Sequence, residues 1–322
     1  MNSAIALVLI FVFASALRDV YFGEIFQRLD IFAVVLTAFS LTTAIFLALI
    51  AVRGRRQFRA MAGAWREIVL TNLGTAMAWL SYFFALKLLE PAVVNMLHMG
   101  IGPVALVLLN RAGLHISGPA VVRKSELVIQ GAIFLSLAAL AGIVLLELSR
   151  LGGRSLAENA SGIALALASG IVISLTTDVT KRLHNKGVSA EGVLAVRFIL
   201  IVLIAAPVVI FGGGGKPPLP IETLWPVAAA SLSLMVLPLY ALQLGVARTS
   251  AISAWVVLSL SPAAVFAAEA LDGRLTHSPF TLTAILIYSA LVLSANLARR
   301  FEAAAPGPGY LSLWMHRLRS RQ

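Results

Sequence analysis

The chain has no cysteine, which excludes disulfides, thiolate zinc sites and thiol redox chemistry. Charge is also scarce, with Asp, Glu, Lys and Arg making up 12% of 322 residues, about half of the roughly 25% usual in soluble domains. Acidic residues are the fewest, 14 against 25 Lys and Arg, and the formal net charge is +11. The glycine run Gly212 to Gly215 continues as Lys216-Pro217 and lacks the Lys-Ser/Thr pair of a phosphate loop. No His, Asp and Glu cluster has metal-ligand spacing, and His98 has no carboxylate at helical spacing. The expectation is a protein that is not an enzyme and uses no metal and no cofactor.

What is abundant is apolar: 60% hydrophobic residues and a mean hydropathy of +0.94. A bilayer core of about 30 Å is crossed by about 20 apolar residues, and runs of that length recur. Breaking them at charges, Gly and Pro predicts spans over 3–22, 30–52, 66–88, 91–110, 126–147, 160–181, 190–211, 223–245, 249–270 and 279–298. The first run, Ser3 to Leu17, has no basic segment before it and no small-residue cleavage site after it, so it reads as the first span and not as a signal peptide. The fold class expected is an all-α integral membrane protein with ten transmembrane helices.

The basic residues sit in the short connections, which argues against a nucleic-acid partner and sets an orientation instead. Alternate connections and the tail carry seventeen, including Arg53, Arg55, Arg56, Arg59, Arg66, Lys181, Arg182 and Lys186; the opposite connections carry seven, including Arg18, Lys87 and Arg154. Both termini are therefore expected in the cytoplasm of a bacterial-type cell whose inner membrane holds the chain. The tail from Pro306 to Gln322 mixes Leu311, Leu313, Trp314 and Leu318 with Arg317, Arg319 and Arg321. It suits an interfacial helix on anionic membrane lipid, and equally a disordered positive-inside tail.

Sliding the sequence against itself by 159 residues pairs Asp19 with Asp178, Pro103 with Pro262, Ser15 with Ser174, Phe39 with Phe198 and Val34 with Val193. Five spans separate the copies, an odd number, so the second copy enters the membrane inverted. The organisation expected is a first five-helix repeat over 1–150, a second over 151–300, and a basic tail over 301–322. Two inverted-topology repeats permit two near-equivalent conformations of opposite facing, which alternating access requires.

Tyr82-Phe83-Phe84-Ala85-Leu86-Lys87, followed by Pro91-Ala92 and Pro103, has a second-half counterpart. That counterpart is Tyr240-Ala241-Leu242-Gln243-Leu244-Gly245, followed by Thr249-Ser250-Ala251 and Pro262. With the order of spans and Ala195-Val196-Arg197-Phe198, these segments resemble the drug/metabolite transporter superfamily, and specifically its EamA-type ten-helix members. Two departures are Ala38, where symmetry would place a twin of Arg197, and Glu269, which sits closer to Pro262 than the family's glycine-glutamate pair. The resemblance implies an exporter of amino acids, metabolites or drugs, facilitative or proton-coupled.

Intramembrane ionisable groups are expensive and are functional candidates by default. Asp19 and Asp178, near opposite membrane faces, are candidate gating or coupling residues; the alternative is an interfacial salt bridge with Arg18 and with Lys181. Arg197 is the third, able to hold a carboxylate substrate or to pair with Asp178. Asn95, His98, Met99 and Gly102 share one helix face at i, i+3, i+4, i+7 spacing. His98 is read as a pocket residue or proton acceptor, against a histidine merely bonded to a neighbouring helix. Trp79, Tyr82, Tyr240, Gln243, Trp255 and Ser259 complete the candidate substrate-binding set, although Trp79 and Tyr82 also suit an interfacial aromatic belt. The function expected is a secondary transporter of a small metabolite, amino-acid-like compound or drug by alternating access, with the proton as candidate coupling ion. The alternatives are a flippase of lipid-linked substrates and a non-catalytic membrane subunit.

Overall fold

The structure is a computed structural model and describes residues 3–53, 55–112, 124–148, 154–212, 220–248, 257–272 and 278–304. These residues form helices and no strand. In chain order they are α1 Ser3–Arg28, α2 Ile31–Arg53, α3 Arg55–Gly63, α4 Trp65–Leu88, α5 Pro91–Arg111, α6 Lys124–Leu145 and α7 Leu156–Asn185. There follow α8 Ala190–Val196, α9 Ile199–Ile210, α10 Ile221–Ser231, α11 Leu237–Arg248, α12 Ser261–Asp272 and α13 Pro279–Ala304.

Among the described residues, eight stretches are long and apolar enough to cross a membrane, with α8–α9 and α10–α11 each counted as one; Pro279–Ser294 is apolar but shorter. The expected ninth span, 249–270, is described only from Val257 onward. The helices carry apolar residues all round. Their outward positions, such as Phe13, Met77, Leu135, Leu203 and Leu286, are exposed, a surface that only lipid or a partner could solvate.

Several elements differ from the expected spans. The first helix continues to Arg28, six residues past its expected end, because Phe22 and Phe26 are buried against Phe83 and their packing outweighs the charges nearby. The connection after α2 is itself helical: α3 buries Met61 while Arg56 and Arg59 face outward, an amphipathic turn suited to a membrane surface. Helix starts follow local rules. Ser155 caps α7 through a reciprocal box, accepting from the Glu158 amide at 3.2 Å and donating its own amide to Glu158 at 2.8 Å. Asp30 accepts from the Ala33 amide at the start of α2.

The long packings join distant parts of the chain. α1 lies along α11 and α12, α7 lies along α4 and α5, α2 packs on α8 and α9, α6 on α13, and α5 on α12. At the contact of α7 with its neighbours, glycines allow close approach: Gly74 faces Thr176, Gly102 faces Ser174, and Gly170 faces the His98 carbonyl. Connections gather at two ends of the bundle. At one, Gln57 accepts from the Ser189 amide at 3.1 Å and Lys186 pairs with Glu67 at 2.7 Å. At the other, Gln27 and Arg154 both donate to the Lys87 carbonyl and Ser278 donates to the Leu148 carbonyl.

Candidate functional site

A cavity of about 120 Å³ lies among α1, α4, α5, α7, α11 and the junction of α8 with α9. It extends from the middle of the bundle towards the end that carries Lys186. Its polar lining is Arg18 from α1, Trp79 and Tyr82 from α4, and His98 from α5. α7 adds Thr177, Thr180, Lys181 and His184, the junction adds Arg197, and α11 adds Gln243; Phe11, Met99, Leu239, Leu242 and Leu258 supply apolar wall.

On the side away from Lys186 the cavity meets a buried network. The Asp19 carboxylate takes Arg18 Nε and Nη2 at 2.8 and 2.7 Å on one oxygen. Its other oxygen takes the Tyr82 hydroxyl at 2.6 Å and Asn95 Nδ2 at 3.0 Å. One carboxylate therefore ties α1 to α4 and α5. The Arg18 and Asp19 side chains are 4% and 0% exposed, so the pair is buried in the bundle, and breaking it strands a buried charge. The Arg18 guanidinium also stands 5.0 Å from the Trp79 ring centre, within cation–π range. Asn95 belongs to this network and not to the cavity wall.

His98 lines the cavity and is also bonded to a neighbouring helix. Its Nδ1 lies 3.0 Å from Ser169 Oγ, and that hydroxyl spends its one proton on the Ala78 carbonyl at 2.7 Å. Ser169 can then only accept, so His98 carries its proton on Nδ1 and leaves the Nε2 lone pair for the cavity. Helix α7 thus fixes the tautomer of a histidine on α5.

Arg197 sits where a span breaks. α8 ends at Val196 and α9 starts at Ile199, although the apolar run 190–211 predicts one unbroken helix. Asn72 of α4 explains the break: its Nδ2 donates to the Val196 carbonyl at 2.8 Å and its Oδ1 accepts from the Leu200 amide at 3.0 Å. Both orphaned backbone groups are satisfied by one buried amide, as irregular backbone at membrane depth requires. The break turns Arg197 into the cavity, where it donates to Thr75 at 3.3 and 3.4 Å and not to Asp178. Asn72→Leu is expected to destabilise the protein by about 2 kcal/mol in denaturant titrations in detergent, because an orphaned buried group costs about 1–3 kcal/mol; wild-type stability would remove the clamp.

Of the other expected site residues, Gln243 lines the cavity with its side-chain amide 3.3 Å from His184 Nε2. That bond and the His184 Nδ1 contact with the Val188 carbonyl hold His184 between α7 and α11. Tyr240 turns away, donating to Glu191 at 2.7 Å and packing on Phe46. Ser259 is buried behind the wall, and Trp255 lies outside the described residues, as does the tail from Pro306. Asp178 pairs with Arg182 on its own helix at 2.8 Å, leaving Lys181 to the cavity. Glu269 of α12 accepts from the Ala92 amide at 2.9 Å, satisfying a first-turn donor of α5. Between α10 and α11, Leu232–Val236 is a π turn in which Leu237 donates five residues back to Leu232, and Pro238 next to it has no N–H with which to restore the α pattern.

Sequence reading missed Arg18, Lys181, Thr177, Thr180 and His184 as cavity residues. A signal was present: Thr177, Thr180, Lys181 and His184 fall at i, i+3, i+4, i+7 on one face of α7. Arg18 and Lys181 had been assigned to connections by their proximity to expected span ends. Without them the basic residues still divide sixteen to six between the two sets of connections.

Long apolar helices with apolar outward faces around an interior cavity define a polytopic α-helical membrane protein. No family model and no curated protein matches the sequence. A crystal structure of another protein aligns over 94% of this chain and 99% of its own, with a TM-score of 0.63 and 21% identity; at that identity the likeness is one of fold.

Proposed function

We propose that the chain is a secondary transporter of the drug/metabolite transporter type, with ten spans in two inverted five-helix repeats, moving a small metabolite across a bacterial inner membrane by alternating access. The observation that carries the reading is the cavity: buried polar and charged groups from both halves surround it, and a broken helix presents Arg197 to it. The packing supports the repeat. Exchanging the halves turns the α1 contacts with α11 and α12 into those of α7 with α4 and α5, and returns α2 on α8–α9, α6 on α13 and α5 on α12 to themselves. Phe39 and Phe198, equivalent at the 159-residue offset, stack at 4.5 Å between ring centres and 18° between planes. Equivalent residues meet in this way beside a two-fold axis.

The test is flux by the purified chain in proteoliposomes. His98→Ala should lower it several-fold with little loss of folded protein, because the lost side chain faces a cavity and releases only the Ser169 bond. Equal flux for the variant would leave His98 a purely structural group, and absence of flux for every solute class would remove the transport reading. The orientation has its own check. Asn185→Cys should react with an impermeant thiol reagent only from the cytoplasmic side and Leu148→Cys only from outside; reaction of both from one side would refute the arrangement.

A further inference from the structure

We infer that the cavity takes a small organic anion, an acidic oxygen head carried on an apolar body. The inference rests on the transport reading for its biological meaning and on charge for its content. Three cations line the cavity, Arg18, Lys181 and Arg197, and no carboxylate among the described residues does. Asp19 neutralises Arg18 from outside the wall. Lys181 has no ion-pair or hydrogen-bond partner among the described residues, its neighbour Asp178 being held by Arg182. Arg197, 6% exposed, donates only to the Thr75 hydroxyl.

Among the described residues Arg18 Nη1 and Trp79 Nε1 have no acceptor, but both atoms are buried away from the cavity and no occupant reaches them. Thr177 and Thr180 spend their protons on their own helix, so they can only accept further bonds. Uncompensated cations in a low-dielectric bundle are costly, and a negatively charged occupant supplies the missing charge. A cationic solute would add a further positive charge beside Lys181 and Arg197 with no carboxylate to offset it. The remaining wall, Phe11, Met99, Leu239, Leu242 and Leu258, calls for an apolar body behind the head. The undescribed stretch 249–256, next to Leu258 in the chain, contains no Asp or Glu that could cancel the excess.

A charge series on one ring isolates the claim: benzoate and phenyl phosphate against benzyl alcohol and benzylamine, each titrated into the full chain in detergent while thermal stability is followed. A ligand that binds only the folded state raises stability with concentration. The expected result is stabilisation by the two anions and none by the alcohol or amine. Lys181→Gln, which breaks no described bond, should raise the half-saturating benzoate concentration about ten-fold, the scale of one lost charge-assisted contact. Lys181→Arg and Arg197→Lys should retain the preference for anions. Stabilisation by benzylamine alone, equal effects across the series, or no effect of any probe would overturn the inference. Stabilisation only by added phosphatidic acid would overturn it in favour of a lipid headgroup. Anion binding without flux in proteoliposomes would uphold the charge assignment and defeat the transport reading, so the two can fail separately.

Discussion

Asp19→Asn is expected to lower the stability of the closed bundle by about 3–5 kcal/mol, the cost typical of breaking a buried ion pair from one side. The substitution keeps the shape and removes the charge to which Arg18, Tyr82 and Asn95 all donate. Arg18 already has one unpartnered nitrogen, so nothing nearby can take up the loss. The alternating-access protein we propose has an escape that a static bundle lacks: it can separate α1 from α4 and α5 and let water reach the guanidinium. The population then shifts by the interaction that only the closed state had. A cysteine at Leu89, buried at the end of α4 away from the cavity mouth, should react slowly with thiol reagents in the parent and many-fold faster beside Asp19→Asn. Arg18→Gln combined with Asp19→Asn should recover much of the stability, since replacing both partners removes the stranded charge. Unchanged Leu89→Cys reactivity together with unchanged stability would show that the network holds nothing shut.

Asp178 gives the comparison its direction. Its ion pair with Arg182 lies within α7 and is partly exposed, so it ties no second helix in this structure, and the cavity approaches its end of the bundle. If each carboxylate acts when its own side is closed, Asp178→Asn should leave stability close to wild type and Asp19→Asn should not. Equal losses for both would contradict that asymmetry.

The helical class and most of the spans were legible because lipid solvation imposes a length and a composition that local sequence must carry. Helix ends were less so: α1 runs on to Arg28 because Phe22 and Phe26 find Phe83, a partner about sixty residues away in sequence. The break at Arg197 was illegible in 190–211 itself, where every neighbour is apolar; its cause is Asn72 on another helix. Within the site, spacing on α5 correctly grouped His98 and Met99 but could not say that Asn95 turns towards Asp19. The pairing of Tyr82 with Tyr240 suggested matching roles. In the structure the first lines the cavity and the second bonds Glu191. Arg18 and Lys181 were hidden by a rule that is sound for loops: a charge near the end of an apolar run belongs to the interface. Burial on one face of a long helix overrides it.

Gly170→Ala is expected to be the most damaging glycine-to-alanine substitution among the described residues. A methyl group built there would lie 2.2 Å from the His98 carbonyl oxygen and 2.5 Å from Ile101 Cγ2. The first of these is backbone, so no side-chain rotation relieves it, and α5 must move off α7. Overpacking typically costs about 1–3 kcal/mol, and a backbone obstacle puts this site at the upper end. The movement also pulls His98 from Ser169, whose bond is 3.0 Å, and so releases the tautomer that keeps Nε2 facing the cavity. Gly102→Ala is the control. Its nearest obstacle is Ser174 Oγ at 2.0 Å, while Ser174 Cβ stands at 3.3 Å, so Ser174→Ala should rescue Gly102→Ala substantially. Ile101→Ala should not rescue Gly170→Ala, because the carbonyl remains. Thermal unfolding and the monodisperse fraction in detergent would separate the two cases; Gly170→Ala with parental stability would mean that α5 and α7 are not in backbone contact at His98.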